Sequence, residues 1–332
     1  NDNDPTTKKP FANAAAVVNQ FVADAKAANA AGTTAVRDSE AVIRAAITVD
    51  TVKAQRTWGG ADYMAAKVGG VWDSMLREGR HFWIFTNSDF HTNTGSEPDF
   101  WPGEYAKNHT FAKTVTYQGI LDGMRSGKTF AVTGDLIDGL DFRVKEGKKS
   151  AEMGGTLKIA NGKVPTVTIR FRVPSKNNNE DQSNNKPMVD HIDLIEGTMT
   201  DVAEPYLEDP AFDITKPVAT KNPEYSKAEC PEGTVRVMKT FTAADWGVAD
   251  ANGYYTVTYK LPAGDSSKYY RLRGTNLGAG VSGQTDGKGN PLCDQEFTSL
   301  EDSKTAAGGN DSKSAFQDIW FYSNPIFVTL NR

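Results

Sequence analysis

Beyond about residue 134 the chain loses any helical period and breaks into short runs of alternating polar and apolar residues. This change of texture constrains the fold more than any other feature. The runs are Leu140–Val144, Val167–Val173, His191–Ile195, Tyr254–Leu261, Tyr269–Arg273, Ile319–Phe321 and Ile326–Leu330. A period of two sends successive side chains to opposite faces, so each run has one face to bury and one to leave in water. Turn-rich stretches such as KNNNEDQSNNK (176–186) and TDGKGN (285–290) separate them. The pattern predicts an antiparallel β-sandwich with long surface loops over residues 139–332.

The preceding third reads differently. Residues 11–31 place Ala14, Val17, Val18, Phe21, Val22, Ala25 and Ala28 at helical spacing, and Gly32 follows as a stop. A short helix is expected over Glu40–Ile47. Another is expected from Ala61 to Glu78, with Gly69-Gly70 inside it as a close-packing point or a break. The run His81–Thr86 (HFWIFT) has the composition of a buried strand, and residues 92–110 read as a loop. Tyr117–Arg125 reads as a helix and Thr129–Thr133 as a strand. Helix, strand, loop, helix, strand is the rhythm of an α/β layer or barrel. The expected organisation is a helical segment at 1–55, an α/β part at 56–138 and the β-sandwich at 139–332. The fold class is α/β plus all-β.

Charge narrows the function classes. With 37 Lys and Arg against 42 Asp and Glu the chain carries a net −5, which argues against nucleic-acid binding by bulk charge. No run of roughly 18 apolar residues is present to span a membrane. The opening NDNDPTTKKP has no apolar core of a signal peptide, and a start at Asn1 is expected of a processed chain or of part of a longer product. Cys230 and Cys293 fit one disulfide or two loop thiols equally.

Asp89 and His91, two residues apart at the end of the HFWIFT run, are the leading candidates for divalent-metal ligands: a strand end can aim both into one cavity. The spacing alone also suits a polar turn. The chain around them carries an ordered series of blocks: KVGGVWD (67–73), EGR (78–80), NSDFH (87–91), DFWPGEY (99–105), GMRSGKT (123–129) and GDLID (134–138). YRLRGT (270–275) and WFYSNPIF (320–327) follow. This series resembles the later part of the PHP (polymerase and histidinol phosphatase) metallo-phosphoesterases, closest to the secreted branch that carries a carboxy-terminal β domain. The resemblance covers roughly residues 56–332.

It implies the end of a distorted β/α barrel holding a cluster of Zn, Mn or Fe, in which a metal-bound water attacks a phosphate ester. By position Asp89 and His91 match the family's last ligand motif. Glu104 and Arg80 would orient water and hold phosphate respectively, although a packed turn and a surface ion pair are the plainer readings of the two. The setting implied is secreted, periplasmic or cell-surface. The family's His-x-His opening motif is absent from the chain, which has only His81, His91, His109 and His191. Three expectations follow. The chain is the carboxy-terminal portion of a longer enzyme, it pairs with a separate amino-terminal half, or it is a non-catalytic relative serving as an adhesion or self-assembling module.

Further residues carry weaker readings. Arg125 and Lys128 are alternative phosphate contacts or ordinary surface cations. Gly127-Lys128-Thr129 lacks the upstream spacing of a phosphate-binding loop. His109 lies in an Asn-His-Thr sequon. His191 reads as a core or surface residue, and Asp286–Asn290 as a turn rather than a calcium loop.

Overall fold

The computed structural model describes residues 58–61, 63–88, 102–177, 186–200, 230–292 and 318–331. All belong to one compact unit, Thr57–Ala203 with Ala228–Arg332. The expected helices at 11–31 and 40–47, and Asp89, His91 and Cys293, lie outside the described residues.

Two sheets form the body. The four-stranded sheet has the order β4-β3-β6-β9, from β3 (Gly139–Glu146), β4 (Lys149–Glu152), β6 (Thr166–Arg172) and β9 (Tyr254–Lys260), all antiparallel. The larger sheet is built on β10 (Lys268–Thr275). One edge of β10 pairs along its whole length with β7 (His191–Thr198), which in turn pairs with β8 (Val235–Thr242). The other edge pairs first with β11 (Trp320–Ser323) and then with β12 (Ile326–Leu330). From β11 the sheet continues through β2 (Thr129–Thr133) to β1 (Ala106–Thr110), and from β12 to the parallel strand β5 (Thr156–Ile159). Strands from both sides of position 138 therefore share one sheet.

The fork has a visible cause. Arg273 lies opposite Tyr322 and Tyr270 opposite Ile326, so three steps along β10 face four along the partner. The extra residue is a bulge at Ser323-Asn324-Pro325, where proline has no N–H to give a ladder. At the bulge the Ser323 hydroxyl, in place of a ladder carbonyl, accepts the Leu272 N–H at 2.8 Å.

Alternation sets the core. Leu140, Phe142 and Val144 of β3 and Val167, Ile169 and Phe171 of β6 are buried, while Arg143 between them is exposed. They pack with Phe130, Val132, Ile192, Leu194, Tyr270, Leu272, Phe321 and Ile326 of the larger sheet in one apolar cluster, as two facing sheets do. On the larger sheet's other face Trp72 and Leu76 of α2 (Val71–Arg77) meet Tyr269 and Phe327. The β10 strand is thus covered on both faces. The antiparallel, β-rich architecture agrees with the sandwich expected from the alternating runs.

The long helix expected over 61–78 is two pieces, α1 (Tyr63–Ala66) and α2, broken where Gly69 takes φ +83°. The run His81–Thr86 is not a buried strand: it forms no regular element, and Phe82 and Phe85 are 49% and 41% exposed. Its ladder partners are side chains. Asn324 accepts the Ile84 N–H at 3.0 Å, and Asn108 accepts the Thr86 N–H at 2.9 Å while donating to Thr86 O at 2.6 Å. Two amides thus stand where a neighbouring strand would. The stretch 106–110, expected to be loop, is β1. The α3 helix (Tyr117–Arg125) forms as expected, capped by the Thr116 hydroxyl accepting Gly119 N–H.

Candidate functional site

Two regions bear on chemistry. The first is the approach to Asp89. The amides of Asn108 and Asn324 fix Ile84 and Thr86, so the chain is held at the sheet edge until just before Asn87-Ser88-Asp89. It is caught again at Tyr105, whose carbonyl accepts the Gly134 N–H at 2.8 Å and whose hydroxyl donates to Asp318 O at 3.4 Å. The chain is thus held next to the sheet at Thr86 and again at Tyr105. Glu104 sits half-buried in the turn just before Tyr105. Arg80 makes its ion pair with Glu78, two residues away, at 2.6 Å in an exposed position. Arg125 is exposed and lies 3.8 Å from Asp122. Among the described residues no three His, Cys, Asp or Glu side chains converge as a metal group.

The second region is a cleft of about 570 Å³ between the β1–β2 hairpin and β3. It exists because β4 covers only the Arg143–Glu146 half of the β3 edge, leaving Gly139–Phe142 facing the hairpin. Its walls carry a chain of ion pairs. Lys128 Nζ lies 2.9 Å from Glu152, Arg143 Nη1 2.9 Å from the other Glu152 oxygen, and Arg143 Nε 2.5 Å from Asp141. Arg170 pairs with Asp250 at 2.6 Å and lies 4.2 Å over the Tyr254 ring. The hydrogen bond from Lys128 holds the Glu152 carboxyl below the usual carboxylate range, burial notwithstanding.

His109 is the cleft's titratable ring. It stands directly opposite Phe130 in the β1–β2 register, and the two rings stack at 4.7 Å. Its Nε2 is buried without a hydrogen-bond partner among the described residues. Burial lowers the imidazole pKa below its ordinary value, with Asp135 opposing the shift. The folded state therefore binds this proton less readily than the unfolded chain. Stability present at neutral pH is lost as pH falls through the unfolded value near 6.5 and on towards the lowered folded one. Unfolding free energy measured from pH 7.5 downwards should fall with a slope of at most about 1.4 kcal/mol per pH unit from this group, and His109→Gln should flatten that slope.

Other candidates are structural. His191 is buried, with Nδ1 2.9 Å from Asp190. The Asp286 carboxylate accepts the N–H groups of Lys288 and Asn290 at 2.8 and 2.9 Å and the Asn290 side-chain amide at 2.9 Å, which is a closed turn. Burial first, and then nearby Asp73, push the Cys230 thiol up to about 11, far from a reactive thiolate.

Sequence reasoning met His109 only as part of a sequon and Lys128 only as an ambiguous cation. Of the cleft's other residues, one pair had a readable signal: Arg143 and Glu152 flank the Glu146-Gly147-Lys148-Lys149 turn and face each other across β3 and β4. The cleft assembles from segments around 110, 128, 140, 152, 170 and 254, whose spacing says nothing. Among the described residues no helix is long and apolar enough to cross a membrane. No family model, no curated protein and no solved structure matches this chain.

Proposed function

We propose that the chain supplies Asp89 and His91 to a PHP-type metal-dependent phosphoesterase site completed by ligands from beyond the described residues, in a secreted or envelope protein. The observation that carries the reading is the segment 81–88. It is pinned by two asparagine amides and runs directly into Asn87-Ser88-Asp89-Phe90-His91. The helix after it supports the same reading. The α3 helix turns glycines inward, Gly119 and Gly123, and leaves Tyr117, Ile120 and Leu121 exposed. A pinned segment and a helix with open apolar surface fit the margin of a barrel that continues elsewhere. Arg80 pairs with Glu78 in an exposed position, a pairing that costs little to exchange for a phosphate.

The same open surface favours a second reading, a non-catalytic module that self-assembles through it. Metal content separates the two. Protein from the full-length gene product, purified without chelator, is expected to hold near-stoichiometric Zn, Mn or Fe by plasma mass spectrometry. The double variant Asp89→Ala, His91→Ala is expected to lose it together with hydrolysis of bis-p-nitrophenyl phosphate. Metal-free native protein, or a variant with metal and activity intact, overturns the phosphoesterase reading; concentration-dependent association by light scattering then supports the second.

A further inference from the structure

We propose that the cleft between the β1–β2 hairpin and β3 is a binding site for a neutral carbohydrate. This inference is independent of the phosphoesterase reading and rests on the cleft alone.

Size places the cleft within the roughly 300–1,000 Å³ of small-molecule sites. Charge then selects the ligand. Lys128 pairs with Glu152, Arg143 with Asp141 and Glu152, and Arg170 with Asp250; Arg172 at the margin pairs with Asp138 at 2.8 Å. Each cation is matched by a carboxylate, so the walls offer no net field to gather an anion and no unmatched carboxylates to gather a cation. What they offer is a set of mutually paired donors and acceptors. A sugar hydroxyl both donates and accepts, and is the group that meets such a set without leaving a charge unpaired.

The rim adds the second element of sugar recognition. Phe111 is 49% exposed at the cleft, its ring tilted against Phe130 at 6.4 Å. A half-exposed phenyl ring beside polar walls matches a pyranose, which has one face of C–H groups and an edge of hydroxyls. The ring is also cheap to present, because it is anchored below: Phe111 N–H donates to Lys128 O at 2.9 Å, and the Phe130 under it is buried.

The test is calorimetric titration of the folded protein with cellotriose, maltotriose, xylotriose, mannotriose and chitotriose, after a screen on an array of neutral and anionic glycans. At least one neutral sugar is expected to bind saturably. Phe111→Ala is expected to weaken it about tenfold, and Glu152→Gln to weaken it measurably. Phe111 is half in solvent, and an unchanged melting profile verifies that its variant folds. Inorganic phosphate at matched ionic strength is expected not to compete, and the Asp89→Ala, His91→Ala protein is expected to bind the sugar as well as wild type. Absence of binding to every neutral glycan overturns the proposal. So does a preference for anionic glycans or phosphate in the cleft, or binding unchanged in both cleft variants.

Discussion

Asp73→Ala should cost about 3–5 kcal/mol of folding stability, a large share of the roughly 5–15 kcal/mol available to a domain. Asp73 and Arg271 are both fully buried between α2 and the larger sheet. One Asp73 oxygen accepts from Arg271 Nε at 2.7 Å and from the Tyr269 hydroxyl at 2.8 Å. The other accepts from Arg271 Nη2 and from the Gly69 N–H, both at 2.7 Å. Burial works against the Arg271 charge, and the Asp73 carboxylate beside it more than offsets this, so the guanidinium stands above its ordinary value. Among the described residues Arg271 Nη1 already has no hydrogen-bond partner, and the Trp72 ring lies 4.7 Å from the cation. Removing the carboxylate strands a charge, a phenol and an amide together, and the loss is far larger than the worth of the pair itself. The double variant Asp73→Leu, Arg271→Met should recover most of it, because no buried charge remains. Urea midpoints of the three proteins check this. Equal losses in the single and double variants would mean that the pair stabilises α2 by its contacts and not by compensating each other's burial.

This pair also shows what the residues could and could not reveal in advance. The β3 and β6 strands were legible because each has one apolar and one polar face: Leu140, Phe142 and Val144 alternate with Asp141 and Arg143. By the same logic Arg271 and Arg273 in β10 read as a solvent face. Both are buried: Arg271 lies under α2 against Asp73, 198 positions away, and Arg273 pairs at 2.9 Å with Asp193 of β7, directly opposite it. The HFWIFT run misled in the opposite direction. Its composition is that of a core strand, yet its neighbours are asparagine side chains, and nothing local distinguishes a central strand from a segment held at an edge. The β1 strand (AKNHT) has no apolar face of its own and is a strand only because β2 offers it a ladder. The Gly69-Gly70 break was legible because two adjacent glycines weaken a helix wherever they occur. The cleft was not, since a site built from six separated segments leaves no spacing to read.

Gly154→Ala should destabilise by about 2–5 kcal/mol, the sum of a left-handed backbone cost and an overlap that cannot relax cheaply. Gly154 has φ +77°, and a Cβ there would lie 1.8 Å from Ser126 O and 2.8 Å from Gly127 Cα. Gly127 is itself left-handed at +72°, with the Trp83 ring 2.6 Å from its own Cβ direction. Backbone therefore meets backbone where the α3–β2 and β4–β5 connections cross, and Gly154 N–H is also tied to Pro325 O at 2.8 Å. No flexible side chain is present to yield. Gly147→Ala is the control: φ is +58° and its Cβ would meet nothing within 4 Å, so only the backbone cost of about 1–2 kcal/mol applies. The difference in urea midpoint between the two variants isolates the crossing. The crossing also has a functional consequence. Gly127 precedes Lys128 and Gly154 follows Glu152 by two residues, so the contact sets the 2.9 Å Lys128–Glu152 pair in the cleft wall. Gly154→Ala should accordingly weaken ligand binding in the cleft while Gly147→Ala leaves it intact. Equal stabilities for the two variants would mean that the connections slide past each other freely and that the cleft's geometry is fixed from elsewhere.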